Sequence, residues 1–165
     1  AETLGHTIQH AVRLLNPIAA AQQIVVAVDL DQRAADLPAG PLYPVLANAL
    51  RNSIDAITGA RSDPPSPLTG EIGRIDLWAR VHADQVVLTI RDNGPGVPVR
   101  LLDQGGNFRF GATSKSDGGG LGLTLVRDIA GRLGGHATLG PRSDRRRGAE
   151  LVFRVPLAAV SREAR

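Results

Sequence analysis

Two strand-like runs, residues 74–82 (RIDLWARVH) and 85–92 (QVVLTIRD), stand two residues apart, and this spacing restricts the fold more than any other feature of the chain. Ala83 and Asp84 between them are long enough only for a tight turn, so the runs pair as an antiparallel hairpin. A sheet therefore organises the chain, and the remaining segments have to be placed around it. Leu4, Ile8, Ala11, Val12 and Leu15 recur at helical spacing, which predicts a helix over 3–15 ended by Asn16 and Pro17. IVVAVDL (24–30) reads as a strand, and a loop with Pro38, Gly40 and Pro41 hands over to a second helix at 42–57. The proline-rich stretch 58–73 is expected to be a loop, since proline lacks the amide donor and clashes with the preceding turn.

After a glycine-rich region, helical spacing returns at 123–134 with Leu125, Val126, Ile129 and Leu133, and Gly134 and Gly135 cap that helix. HATLG and ELVFRVPL give two last strands around an arginine-bearing turn, and 161–165 reads as a frayed tail. Strands in adjacent pairs with helices between them imply a two-layer α/β (α+β) arrangement, a mixed and largely antiparallel sheet with helices on one face. At 165 residues the chain fits a single domain, 1–165.

Composition excludes several classes of function. No apolar run approaches the roughly 20 residues of a membrane span. The amino terminus lacks the pattern of a signal peptide, and zero cysteines remove disulfides and thiolate metal sites. A cytoplasmic setting is expected, whether or not a parent protein is membrane-bound. The net charge is only +3, and the Arg145, Arg146, Arg147 cluster lies between turn residues, so it reads as a solvated hairpin tip and not a nucleic-acid contact.

Three segments carry residues suited to chemistry. In LANALRNSIDAI, Asn48, Asn52 and either Asp55 or Ala56 fall three or four residues apart on one side of the second helix. Such asparagines can simply face water, or an amide oxygen can take one position on a hard cation whose other ligands are phosphates and waters. In RDNGPGV the strand ends in Asp92. A buried carboxylate there needs hydrogen-bond donors such as the exocyclic amine of adenine, and Gly94 and Gly96 would let the backbone approach a flat ring. In FRFGATSKSDGGGLGLTL, five glycines within residues 111–122 lead straight into a helix, offering free amides and a positive helix end to phosphate oxygens. Lys115, the only lysine of the chain, falls just before the glycine run. Neither a Walker loop nor a dinucleotide fingerprint is present.

In this order the segments resemble the ATP-binding domain shared by histidine kinases, gyrase, Hsp90 and MutL, known as the Bergerat fold. LANALRNSIDA is similar to that family's N box, DNGPGV to its G1 box, FRF to its F box and GGGLGL to its G2 box. The resemblance spans nearly the whole chain and implies a mixed sheet backing three helices, with ATP held under a mobile lid at about 107–119 after a leading helix at about 1–16. It implies Asn52 as the Mg²⁺ ligand and Asp92 as acceptor of the adenine amine, with Gly94 and Gly96 shaping the base pocket. Lys115, Gly118, Gly120 and Gly122 would lie near the phosphates; Asn48, Phe110, Leu121 and Leu123 complete the implied ATP-binding set. Phe108 and Phe110 would anchor the base of the lid.

ATPases of this superfamily carry a glutamate general base where this chain has Asn48, and asparagine is no useful proton acceptor. The resemblance is thus to the catalytic domain of a bacterial two-component sensor histidine kinase, with the cofactors ATP and Mg²⁺. Such a domain passes the γ-phosphoryl group to a histidine on a separate dimerisation domain, and through it to a response regulator. Asp55 stands where many kinases have a basic residue, and Ala149 where a threonine is frequent. His6 and His10 lack the following acidic residue of a phosphoacceptor, so no acceptor or certain catalytic residue is expected here and the isolated domain should be monomeric. An anti-sigma-factor-type serine kinase, a gyrase-like or MutL-like ATPase fragment and a degenerate nucleotide-sensing domain are the competing readings.

Overall fold

The structure, a computed structural model, describes residues 2–62, 70–111 and 120–162. The elements in chain order are α1 (Leu4–Ala21), β1 (Ile24–Leu30), α2 (Gln32–Ala35), α3 (Tyr43–Ser62), β2 (Gly73–His82), β3 (Gln85–Asp92), α4 (Gly120–Arg132), β4 (His136–Pro141), β5 (Ala149–Pro156) and α5 (Leu157–Arg162). Among the described residues five strands form one sheet in the order β1-β2-β3-β5-β4. Only β1 and β2 run parallel; the β2–β3 hairpin and the β3–β5 and β4–β5 pairs are antiparallel. The expected mixed, largely antiparallel sheet is the one observed.

Burial alternates along β2 and β5. Ile75, Leu77, Leu88, Ile90, Leu151 and Phe153 therefore point into the helix-covered face, each at most 3% exposed. Opposite them α3 contributes Leu46, Leu50, Ile54 and Ile57, and α4 contributes Leu123, Val126 and Ile129 to the same core. Each fully buried aliphatic side chain of this kind contributes about 1.5–3 kcal/mol. That packing fixes the face of α3 that is left for other work. Among the described residues no helix is long and apolar enough to cross a membrane.

Four sequence expectations need correction. Helix α1 does not end at Asn16 and Pro17 but runs through the proline to Ala21. Ala19 is fully buried, and the packing of this last turn, closed by Gln22 N–H to the Ala19 carbonyl at 3.0 Å, outweighs one missing helical hydrogen bond. Helix α3 continues past Ile57 to Ser62. The prolines begin only at Pro64, beyond the helix, and Arg61 fastens the final turn by donating to the carbonyls of Gln22 and Glu71. Helix α4 starts at Gly120 instead of 123, and its Leu125 is 43% exposed although it shares the apolar spacing. Ser161 and Arg162, where the tail was expected to fray, instead close α5, whose Val160 is fully buried, and the rest of that tail, 163–165, lies outside the described residues. At the C-terminus of α4 the expected glycine cap is present. Gly134 has φ +79, and the Gly135 N–H reaches the Ala130 carbonyl at 2.8 Å.

Candidate nucleotide site

Strand β3 ends at Asp92, whose position in the strand alternation turns its side chain inward, and the carboxylate is 2% exposed. An ionised carboxylate at that depth is stable only if donors surround it. Three elements supply them. Oδ1 accepts the N–H of Gly94 at 2.9 Å and that of Ala149, at the start of β5, at 3.2 Å, while the Ser53 hydroxyl of α3 donates to the same group. Burial pushes the Asp92 carboxyl above the usual carboxylate range. The Gly94, Ala149 and Ser53 hydrogen bonds and the Arg142 charge pull it back down without cancelling the rise.

The glycines after Asp92 are required by close approach. A Cβ on Gly94 would stand 3.1 Å from Asp92 Oδ1 and 3.4 Å from the Ile57 side chain. Gly96 has φ +82, a conformation that side chains rarely adopt. Helix α3 crosses above this turn. Its Asn48 and Asn52 are half-buried and Asp55 is exposed, so the polar stripe narrows to the two asparagines and Ser53. Asn48 Nδ2 donates to the Pro44 carbonyl at 2.7 Å, and Asn48 Oδ1 lies where it would meet a Cβ on Gly122 of α4 at 2.6 Å. Among the described residues the Asn52 side chain makes no hydrogen bond, so its amide oxygen is available to a ligand.

Where the base of a lid was expected, Phe108 is 6% exposed and packs edge-on against Phe110 with ring centroids 5.6 Å apart. The Phe108 N–H donates to the Leu139 carbonyl at 2.6 Å, and Arg127 of α4 stands 5.9 Å from the Phe110 ring. Gly120 opens α4, Leu121 and Gly122 follow in its first turn, and Leu123 is buried below them. Lys115, Gly118 and residues 112–119 of the lid expected at about 107–119 lie outside the described residues. His6 and His10 are exposed on α1, away from any acidic neighbour in sequence; His10 leans on Tyr43 at 5.7 Å.

Among the described residues no three His, Cys, Asp or Glu side chains converge to hold a metal. A cation here would need ligands from a bound phosphate, with Asn52 as the protein oxygen within the same helix face.

Sequence reasoning missed Ser53, Gly148 and Arg142. A Cβ on Gly148, at φ +133, would fall 1.8 Å from the Asp92 carbonyl oxygen, so the β4–β5 turn passes directly against the end of β3. Arg142, 10% exposed, donates to that carbonyl at 3.1 Å. The arginine turn is therefore only partly the solvated tip expected: Arg145 and Arg146 are exposed, but Arg147 pairs with Glu71 and donates to the Asn93 carbonyl at 3.4 Å. The glycine before a strand was the one available signal; nothing local distinguishes Arg142 from its neighbours.

Residues 39–159 match the family described as histidine kinase-, DNA gyrase B-, and HSP90-like ATPase. The chain is 31% identical to the two-component sensor PprA of Pseudomonas aeruginosa over 92% of its own length and 14% of that protein's. It is 29% identical to the sensor histidine kinase ZraS of Salmonella typhimurium over 97% of its length and 31% of that protein's, so it spans less than a third of either relative. In fold it is similar to the catalytic domain of histidine kinase ThkA, with TM-score 0.69, 23% identity and coverage of 93% of this chain and 92% of that one. Full-length ShkA in complex with AMPPNP gives TM-score 0.67 and 25% identity, covering 92% of this chain and 29% of that one.

Proposed function

Because the chain belongs to the histidine kinase-, DNA gyrase B-, and HSP90-like ATPase family, we propose that it binds Mg-ATP beside Asp92 and serves as the catalytic domain of a two-component sensor histidine kinase. The γ-phosphoryl group goes to a histidine on a separate dimerisation domain and from there, indirectly, to a response regulator. The observation that carries this reading is the Asp92 carboxylate, 2% exposed and held by donors from three separate elements. Burying it costs stability, and the exocyclic amine of adenine is a donor that offsets the cost and selects the base. The complex of ShkA with AMPPNP supports the same ligand class.

Each remaining residue then has a task. Gly94 and Gly96 leave room for the purine plane. Asn52, whose side chain makes no hydrogen bond among the described residues, offers its amide oxygen to Mg²⁺, which when bound would neutralise charge on the phosphates. The first turn of α4, with Gly120, Leu121 and Gly122, presents backbone amides and a positive helix end to the phosphates. Lys115 and Gly118, which lie outside the described residues, are assigned to the same phosphates as part of a lid at 107–119, and Phe108, packed on Phe110 and bonded to Leu139 of β4, is assigned to its base. Leu123 forms the floor of that turn.

Asn48 separates transfer from hydrolysis. Its amide donates to Pro44 and its oxygen packs beneath Gly122, so it has no basic group with which to activate water. The chain holds ATP for transfer and turns it over slowly by itself. Titration with ADP and AMPPNP, with and without Mg²⁺, followed by amide-resonance mapping tests this. Shifts are expected at Asn52, 92–96 and 115–123. Absence of binding to either nucleotide defeats the reading, and steady ATP hydrolysis defeats the kinase assignment in favour of an ATPase.

A further inference from the structure

Behind Asp92 lies a polar cluster that nucleotide contact does not account for. Arg142, in the turn between β4 and β5, is 10% exposed. Its Nε and Nη2 hold both oxygens of Asp144 at 3.0 and 2.6 Å, while Nη1 donates to the Asp92 carbonyl at 3.1 Å and lies 3.4 Å from the Arg147 carbonyl. Asp144 is in turn engaged by Arg91 at 3.3 Å, and Arg91 pairs with Glu150 on β5 at 2.5 Å. The guanidinium is thus fixed by a carboxylate fork on one side, and on the other Nη1 donates to the peptide that carries Asp92 and, at longer distance, to the Arg147 carbonyl.

That peptide matters because both amides bound to Asp92 Oδ1 hang from its two neighbours. Gly94 follows it by two residues, and Ala149 follows Gly148, whose Cα is pressed against the same carbonyl. Rotating the Asp92 carbonyl away from Arg142 would therefore disturb the carboxylate that faces the base.

From this geometry we infer that Arg142 is a positioning residue for base recognition: anchored by Asp144, it holds the Asp92 backbone so that the carboxylate stays aimed at the exocyclic amine of the purine. The inference rests on the adenine reading for its ligand, but the positioning itself is visible without nucleotide. Arg142 acts through Asp92 and touches no substrate.

The test uses the 165-residue chain and two ligands, ATP and the triphosphate of purine riboside, which lacks the 6-amine. Arg142→Met is expected to weaken ATP binding about tenfold, the scale of one charge-assisted hydrogen bond, and to leave purine riboside triphosphate within twofold. In the nucleotide-free protein the Gly94 and Ala149 amide resonances should move. Arg142→Lys should recover part of the ATP affinity. Asp144→Asn, which frees the guanidinium without removing it, should lower ATP affinity severalfold with the same base selectivity, and it serves if Arg142→Met does not fold. Equal losses for both triphosphates would reduce Arg142 to a charge or a structural prop and overturn the inference. So would Gly94 and Ala149 amides that stay in place. If the unsubstituted chain binds neither ligand, the functional reading fails, while the nucleotide-free amide shifts still decide the positioning.

Discussion

A Cβ on Gly122 would stand 2.6 Å from Asn48 Oδ1, so the first turn of α4 and the middle of α3 meet across a gap that holds no methyl group. Alanine is worth up to about 1 kcal/mol over glycine in a helix, but overpacking typically costs about 1–3 kcal/mol. The clash should win. Gly122→Ala is expected to lower stability by about 1 kcal/mol and nucleotide affinity severalfold. Combining it with Asn48→Ala should restore much of the stability in a double-mutant cycle measured by denaturant unfolding. Additive losses would show that the two positions do not touch.

Asp92→Asn keeps an oxygen that can accept from Gly94, Ala149 and Ser53 but removes the charge that burial disfavours. The variant should fold with an unchanged or slightly higher melting temperature. Its ATP affinity should drop by a factor of ten to a hundred, equivalent to about 1.4–2.7 kcal/mol for a hydrogen bond to a charged group. Calorimetric titration that returned the original affinity would remove Asp92 from the base pocket.

Two of the shifted carboxyls, Asp92 and Asp144, predict opposite pH effects on stability. Burial raises Asp92 above 3.8, so the folded chain binds this proton more tightly than the unfolded chain, and its contribution makes stability fall as pH rises from 3.8 through the raised value. Asp144, held at about 2 by the Arg142 hydrogen bond first of all, contributes stability that is present above 3.8 and lost as pH falls toward 2. Melting curves of the parent chain, Asp92→Asn and Asp144→Asn between about pH 3 and 7 separate them. The Asp92→Asn advantage should grow with pH, and the Asp144→Asn deficit should shrink in acid.

Gly148 and Gly131 should respond to alanine with opposite signs. At Gly148 the φ of +133 is unsuited to a side chain, and the new Cβ would overlap the Asp92 carbonyl at 1.8 Å, backbone that has no alternative path. A loss of about 3 kcal/mol or more is expected. At Gly131, inside α4, nothing lies within 4 Å of an added Cβ, so helix propensity alone should stabilise by about 0.5–1 kcal/mol. Chemical denaturation of both variants tests the contrast.

Removing Mg²⁺ with a chelator should weaken AMPPNP binding by tenfold or more, since the phosphates then lack their counter-charge. In Asn52→Ala the chelator should make little further difference, because the amide oxygen proposed to take one coordination position is gone. A full Mg²⁺ effect in that variant would move the metal elsewhere.

The strands were legible in the sequence to within a residue: the expected runs 24–30, 74–82 and 85–92 match β1, β2 and β3. Alternation with period two and a two-residue turn are local signals, and the energy that enforces them lies within the same few residues. The same holds for the Gly134 cap and for Asp92, whose strand-end position and following glycines announced a buried carboxylate before any fold was known.

Helix ends, and the supports of the site, were decided elsewhere. Pro17 argued for a stop, yet α1 continues because Ala19 is buried against the rest of the molecule. α3 reaches Ser62 because Arg61 finds the carbonyls of Gln22 and Glu71, 39 and 10 residues away in sequence. Arg142 looked like any arginine of a solvated turn until the sheet brought it 3.1 Å from a carbonyl 50 residues earlier. The chain by itself determined which residues alternate, turn and cap, since those preferences act between neighbours. Only the tertiary structure determined which helices outlast their stop signals and which arginine stands behind Asp92, since these depend on partners that meet only once the sheet has formed.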